Sequence, residues 1–287
     1  MSNLALRVQL QPRLTPAAIG RAATLALHDE LSLTPKPGLV TLIDCGSHDD
    51  MDAHTFMRSL FSLRRYFVQI AEAGFAGAEF AVLERCGIAA EARMLGATDG
   101  INTHRGAIFM LGLLCAAAGA ALREQGGVSH PDQLRDVLRR HWGDELAKRS
   151  RRTSTLPGGI AAQRHGLRSA SEEAALAFPV LFDTALPALT AALARGLTPQ
   201  QARLDALFHI MAVLDDSNLA HRGGLDGLRF AQCSAQAFLD RGGADRPGGL
   251  QEAHAIADEF VTRRLSPGGA ADTLAAACWI ILVCAGP

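Results

Sequence analysis

Arg105-Gly-Ala-Ile-Phe-Met-Leu-Gly-Leu-Leu-Cys-Ala-Ala-Ala-Gly-Ala-Ala-Leu122 is rich in Ala and Leu and shows no alternation of β-branched with polar residues. Such side chains lose little freedom in a helix, so the stretch reads as an apolar α-helix. The same composition recurs on both sides of it. Helical period predicts further helices near Pro16 to Leu31, Asp52 to Ala73, Glu79 to Leu95, Pro131 to Lys148, Ser171 to Ala194, Pro199 to Leu214, Gly224 to Leu239, Leu250 to Leu265 and Ala271 to Cys284. Thr15-Pro16 and Thr198-Pro199 each set an N-cap hydroxyl ahead of a proline, whose missing N–H is harmless in a first turn. The expectation is an all-α fold of about ten helices. It forms a single domain over residues 1–287, with no repeat period and with functional residues on the loops between helices. Lys148-Arg-Ser-Arg-Arg-Thr153 and Arg241-Gly-Gly-Ala-Asp-Arg-Pro-Gly-Gly249 read as its soft points.

Composition narrows the function classes. Of 287 residues, 48% are hydrophobic and 20% charged, which marks a soluble globular chain and not a disordered one. A net charge of -1 supplies no global field for nucleic acid or an anionic membrane, so neither is expected as a partner and any phosphate recognition must be local. Lys36 and Lys148 are the only lysines, which makes a lysine inside a motif a hint that a compact cation is wanted there. Cys45, Cys86, Cys115, Cys233, Cys278 and Cys284 show no metal-site or disulfide-framework spacing and read as reduced thiols of a cytoplasmic protein. Met1 to Leu10 has no signal-peptide pattern, and the apolar run Leu274 to Ala285 is too short to span a membrane.

Four polar islands interrupt the helices. In the first, Thr34-Pro-Lys-Pro-Gly-Leu-Val40 precedes Asp44-Cys-Gly-Ser-His-Asp-Asp-Met-Asp52. Prolines on both sides of Lys36 hold it extended, and a stiff cation beside aspartates suits a Mg²⁺-bound polyphosphate. The same residues also fit a helix start, with Ser47 and Asp50 as a capping-box-like pair.

In the second, Gly100-Ile-Asn-Thr-His-Arg-Gly106 opens the apolar helix. Asn102 or Thr103 would cap it, leaving backbone N–H groups beside His104 and Arg105 for an anion; a capped helix with solvated His and Arg is the alternative. The third, Asp215-Asp-Ser-Asn-Leu-Ala-His-Arg-Gly-Gly224, is either a ligand loop in which paired glycines admit a close approach or a helix-ending turn. The fourth, Ser266-Pro-Gly-Gly-Ala-Ala-Asp272, is either an anion site at a helix N-terminus or an ordinary cap. Leu156-Pro-Gly-Gly-Ile160 reads as a structural turn. No Walker A loop, dinucleotide fingerprint, H-E-x-x-H or EF-hand spacing is present.

Taken in order, K-P-G-L-V, S-H-D-D-M-D, G-I-N-T-H-R-G-A-I-F, D-S-N-L-A-H-R-G-G and S-P-G-G-A-A-D resemble the triphosphoribosyl-dephospho-CoA synthase family, over about Pro35 to Asp272. Pro-Gly-Gly-Ile at 157–160 and the following E-E-A-A-L-A-F-P look more like the malonate decarboxylase branch than the citrate lyase branch. Two departures stand out: Arg105 replaces a Lys of N-T-H-K-G, and Ser171 stands where an Arg is expected before Glu173.

The resemblance implies an all-helical transferase with ATP and 3'-dephospho-CoA as substrates and Mg²⁺ as cofactor. The ribose 2'-hydroxyl of dephospho-CoA displaces adenine from C1' of ATP. The product then passes to a carrier-protein transferase as the precursor of an acyl carrier protein prosthetic group. On this reading Lys36, Arg105 and Arg222 meet phosphates, with Asn102, Thr103, Ser266, Gly268 and Gly269 beside them. Asp49, Asp50 and Asp52 serve the metal; Asp216 and Asn218 serve a second metal or the ribose. His48, Glu91, His104 and Asp216 are the acid–base candidates. A homodimer is left open. The rivals are a Mg²⁺-dependent helical ADP-ribosyl hydrolase, which would use water in place of the sugar hydroxyl, and a non-catalytic carrier-protein chaperone.

Overall fold

The chain forms helices wherever Ala, Leu and Arg dominate, and their ends follow the capping chemistry. The computed structural model describes residues 14–284, so the reading of Met1 to Leu10 and the end of the Leu274 to Ala285 run lie outside it. Helix α1 (Pro16–Leu31) starts where Thr15 Oγ1 accepts from the N–H of Ala18 at 3.1 Å. After a loop of two turns come α2 (Ala53–Phe75), α3 (Phe80–Ala97), α4 (Arg105–Gln125) and α5 (Pro131–Ser150). The shorter α6 (Pro157–His165) and α7 (Ala170–Ala175) follow, then a π-turn at Leu181–Ala185 that runs straight into α8 (Leu186–Ala194). The chain closes with α9 (Pro199–Val213), α10 (Ser217–Asp240), α11 (Gly249–Thr262) and α12 (Gly268–Cys284). No strand occurs among the described residues.

Three local expectations are corrected. Leu156 to Ile160 is not a turn but the start of α6, with Pro157 in its first turn, where proline is favoured. The single helix expected from Ser171 to Ala194 breaks after α7, where Ala177 and Phe178 have φ of 57° and 54° and Pro179 follows. Helix α10 begins seven residues before Gly224, at Ser217, and is kinked at that glycine (φ 62°, ψ -163°).

Helix α4 is the axis of the fold, packed by α1, α2, α3, α5 and α12. By length and composition it alone among the described residues is apolar enough to cross a membrane. Every residue from Leu111 to Ala121 is buried, over more than one full turn of the helix, so its whole circumference is covered by other helices. Close approach makes this possible. A Cβ on Gly119 would lie 2.0 Å from the carbonyl oxygen of Ala71, and one on Gly74 would lie 2.0 Å from that of Ala116. Tyr66 of α2 donates to the carbonyl of Ile108 at 2.9 Å, and Trp279 of α12 to that of Ile19 at 3.1 Å. These bonds let two large aromatics sit in the core with their polar atoms satisfied.

Candidate active site

The polar islands and helix starts converge on one cavity of about 590 Å³. Lys36, His48, Glu91, Asn102, Thr103, His104, Arg105, Asn218, Arg222, Ser266, Gly268 and Gly269 all line it. Asp49, Asp50, Asp52 and Asp216 do not. The cavity also takes residues outside every motif, Glu30 from the last turn of α1, Glu84 inside α3 and Arg149 at the end of α5, together with Asp272 of α12, the last residue of the fourth island.

Most cations of the cavity are matched by carboxylates. Lys36 Nζ lies 2.5 Å from Glu30 Oε1, with both side chains buried. Arg105 Nε donates to Glu91 Oε1 at 2.6 Å, and Arg149 pairs with Glu84. Glu91, expected as a free acid or base, is therefore the partner of Arg105. Arg149 comes from the basic stretch read as a soft point, which instead forms the end of a helix against the cavity. Arg222 has no carboxylate in hydrogen-bond reach among the described residues. Its guanidinium donates to the carbonyls of Ser47 (3.1 Å) and Arg264 (3.3 Å) and to His48 Nδ1 (3.0 Å).

That last bond decides what His48 does. With Nδ1 accepting from Arg222, the ring proton sits on Nε2 and is donated to Ser266 Oγ at 2.9 Å. Both nitrogens are thus committed, and burial together with the Arg222 charge lowers the ring to about 4. His48 acts as a clamp joining the loop before α2, helix α10 and the turn before α12. The same junction is tightened by Ser47, whose hydroxyl reaches the carbonyl of Leu265 at 2.6 Å. Gly38 (φ 64°) completes it, since a Cβ there would fall 1.9 Å from that same oxygen.

His104 is placed differently. It is buried, its Nδ1 lies 2.6 Å from Ser59 Oγ, and Thr103 Oγ1 donates to the same Ser59 oxygen at 2.6 Å. Its Nε2 is buried with no partner. Burial first, then the charge of Lys36, lowers the ring to about 3, so it is neutral at ordinary pH. Asn102 Oδ1 accepts from the N–H of Arg105 at 3.2 Å, but the N-cap residue of α4 is His104, which makes no side-chain cap bond, and Thr103 is used on Ser59, so neither expected residue holds the N-cap position.

The aspartates expected to hold metal do not converge. Asp52 is the N-cap of α2, accepting from Thr55 N and Oγ1 at 2.8 Å each, so the helix-start reading is the one adopted, shifted from Ser47 to Asp52. Exposed Asp49 lies 3.8 Å from Arg264, and exposed Asp50 lies 3.8 Å from His48 Nδ1. Among the described residues no three His, Cys, Asp or Glu side chains are grouped to enclose an ion.

Asp216, assigned to catalysis, is buried and caps two helices at once. Oδ1 accepts from Asn218 N at 2.9 Å, and Oδ2 accepts from Ala270 N at 3.0 Å. Burial raises its pKa despite those backbone donors. The paired glycines also serve packing. A Cβ on Gly223 would meet Leu265 at 2.6 Å, and Gly224 carries the kink. The cation expected at Ser171 comes from Arg168, which donates to Glu173 Oε1 at 2.8 Å.

Asp272 is the carboxyl that sequence reading left without a role. Its Oδ2 would lie 1.9 Å from a Cβ on Gly106, so it presses on the first turn of α4. Burial, then the nearby Glu30 and Asp216 carboxyls, push it well above the usual carboxylate range. Its signal was its place at the end of S-P-G-G-A-A-D.

The fold and cavity define an all-helical enzyme whose polar site is assembled from helix ends and loops, with carboxylates holding its cations in place. The chain belongs to the ATP:dephospho-CoA triphosphoribosyl transferase (CitG) family, which it matches over residues 16–286. It is 37% identical over 261 residues to the probable 2-(5''-triphosphoribosyl)-3'-dephosphocoenzyme-A synthase of Acinetobacter calcoaceticus, covering 91% of this chain and 89% of that protein. No solved structure matches it. The protein is thus a transferase of the triphosphoribosyl-dephospho-CoA synthase type.

Proposed function

We propose that the transfer takes place in this cavity and that the product serves malonate decarboxylase. In the reaction the 2'-oxygen of dephospho-CoA forms a bond to C1' of the ATP ribose as the C1'–N9 bond to adenine breaks. The hydroxyl proton ends on the released adenine, and the triphosphate stays on the product. The observation that carries this reading is the convergence of the ordered motifs, with Lys36, Arg105, Arg149 and Arg222, on one cavity. Three of those cations are held by Glu30, Glu91 and Glu84, whose place a triphosphate would take as the competing anion. The N-termini of α4 and α12, at Gly106 and at Gly268 and Gly269, face the same space and favour negative charge.

Asp49, Asp50 and Asp52 do not fit a resident metal cage, since they stand apart and Asp52 is used as a cap. Mg²⁺ enters as part of the nucleotide substrate, where phosphate oxygens and water satisfy most of its octahedron. The malonate decarboxylase role rests on the resemblance of Pro157 to Ile160 and of the E-E-A-A-L-A-F-P segment; delivery to a carrier-protein transferase follows from it.

The test is to incubate the protein with ATP, Mg²⁺ and dephospho-CoA and to measure adenine. Adenine release that requires dephospho-CoA is expected. Equal release without it would identify a hydrolase, and ADP or pyrophosphate as the product would overturn the reading.

A further inference from the structure

The cavity holds two histidines, and their bonding separates them. His48 has both nitrogens bonded within the protein. His104 has one, Nδ1, bonded to Ser59, while Nε2 is buried without a partner in a residue that lines the cavity. A buried polar nitrogen left unpaired carries a desolvation penalty. A ligand atom that completes the bond removes it.

Which chemistry Nε2 offers depends on two hydroxyls. Thr103 Oγ1 donates to Ser59 Oγ. Ser59 has one hydroxyl proton, and its other neighbour is His104 Nδ1 at 2.6 Å. With the Thr103 proton already on its oxygen, Ser59 gives its own proton to Nδ1. A neutral imidazole carries one N–H, so an accepting Nδ1 leaves that hydrogen on Nε2. Ser59 lies fully buried on α2, and the Phe56 ring stands edge-on to the imidazole at 4.9 Å, so the ring is fixed from two sides.

From this geometry we infer that His104 acts as a neutral hydrogen-bond donor through Nε2, set in that tautomer by Ser59 and Thr103, and that it is not the base for the 2'-hydroxyl. Its acceptor is an oxygen or ring nitrogen of the bound nucleotide, and this part rests on the reading of the cavity as the transfer site. Burial beside Lys36 disfavours an imidazolium, which agrees with a group that donates and does not take up a proton. Ser59 is a positioning residue acting through His104.

The experiment has a part that needs no turnover. In protein labelled with ¹⁵N-histidine, long-range ¹H–¹⁵N correlations of the ligand-free chain distinguish protonated from bare ring nitrogens. The His104 signals are assigned by their loss in His104→Gln, or, if that variant does not fold, by through-space contacts to the Phe56 ring. A proton on Nε2 is expected, and Ser59→Ala should change the tautomer ratio. A proton on Nδ1 would overturn the inference. In kinetics, His104→Gln retains an N–H donor but cannot serve as a base, so its kcat should stay within about 10-fold of the parent while His104→Phe loses about 100-fold. A Gln variant as slow as the Phe variant would overturn the inference. Absence of adenine release by the unaltered protein would instead count against the proposed function and leave the tautomer result standing.

Discussion

Replacing Lys36 separates its structural role from its binding role. Its ammonium and the Glu30 carboxylate form a pair at 2.5 Å, with side chains 1% and 5% exposed. Lys36→Met keeps most of the volume but leaves Glu30 without its cation in a low-dielectric site. Breaking a buried pair from one side costs about 3 to 5 kcal/mol. For a chain of this size each kcal/mol is worth about 2 to 4 °C, so the melting temperature should fall by about 6 to 20 °C. The double variant Lys36→Met with Glu30→Gln has no stranded charge, and most of that loss should return. Its activity should not. A charge-assisted hydrogen bond to phosphate is worth about 1.5 to 3 kcal/mol, so ATP binding or turnover should weaken by about 10- to 150-fold even in the stable double variant. Thermal melting combined with adenine release, titrating ATP and dephospho-CoA separately, reads both effects. A double variant with the parent's kinetics for both substrates would show that Lys36 never meets phosphate. A single variant that melts with the parent would refute the energetic argument for the pair.

His104 takes a proton near 6.5 when unfolded and only near about 3 when folded, so its share of stability is full above 6.5 and is lost as pH falls toward 3. Denaturant titrations should show a slope of up to about 1.4 kcal/mol per pH unit from this ring, and His104→Gln should flatten it. Asp272 is shifted upward, so its contribution is present below the unfolded value of 3.8 and is lost as pH rises toward its folded value. Asp272→Asn should therefore gain melting temperature over the parent as pH increases, and a gain that shrinks with pH would contradict the assignment. Asp52→Ala should lower the melting temperature while preserving adenine release, and Asp52→Asn, which caps nearly as well, should leave both unchanged; loss of activity in the Asn variant would restore a metal role.

Helix composition and capping chemistry are local, and the chain announces them plainly. Pro16 to Leu31 was readable to the residue because Thr15 and Pro16 act within one turn, and the all-α class followed from Ala- and Leu-rich periods. The break after α7 was harder to read, because the Ala- and Leu-rich composition runs through it from Ser171 to Ala194 and the turn rests on two residues with positive φ before Pro179. At the site the motifs marked which segments matter, and the cavity draws on all of them.

Their detailed roles depended on partners far away in the chain. Sequence alone determined the helical class, most helix starts and the segments that carry the polar chemistry, since each depends on residues within a turn or two. The tertiary structure alone decided that Lys36 is paired by Glu30, Arg105 by Glu91 and Arg149 by Glu84, and that Asp216 caps two helices while Asp272 is buried near Glu30 and Asp216. It also decided that His48 is bonded through both nitrogens and His104 through only one. The physical reason is that charge state, tautomer and hydrogen-bond capacity are set by burial and by neighbours within about 3 Å. For these residues those neighbours stand up to 218 positions away along the chain.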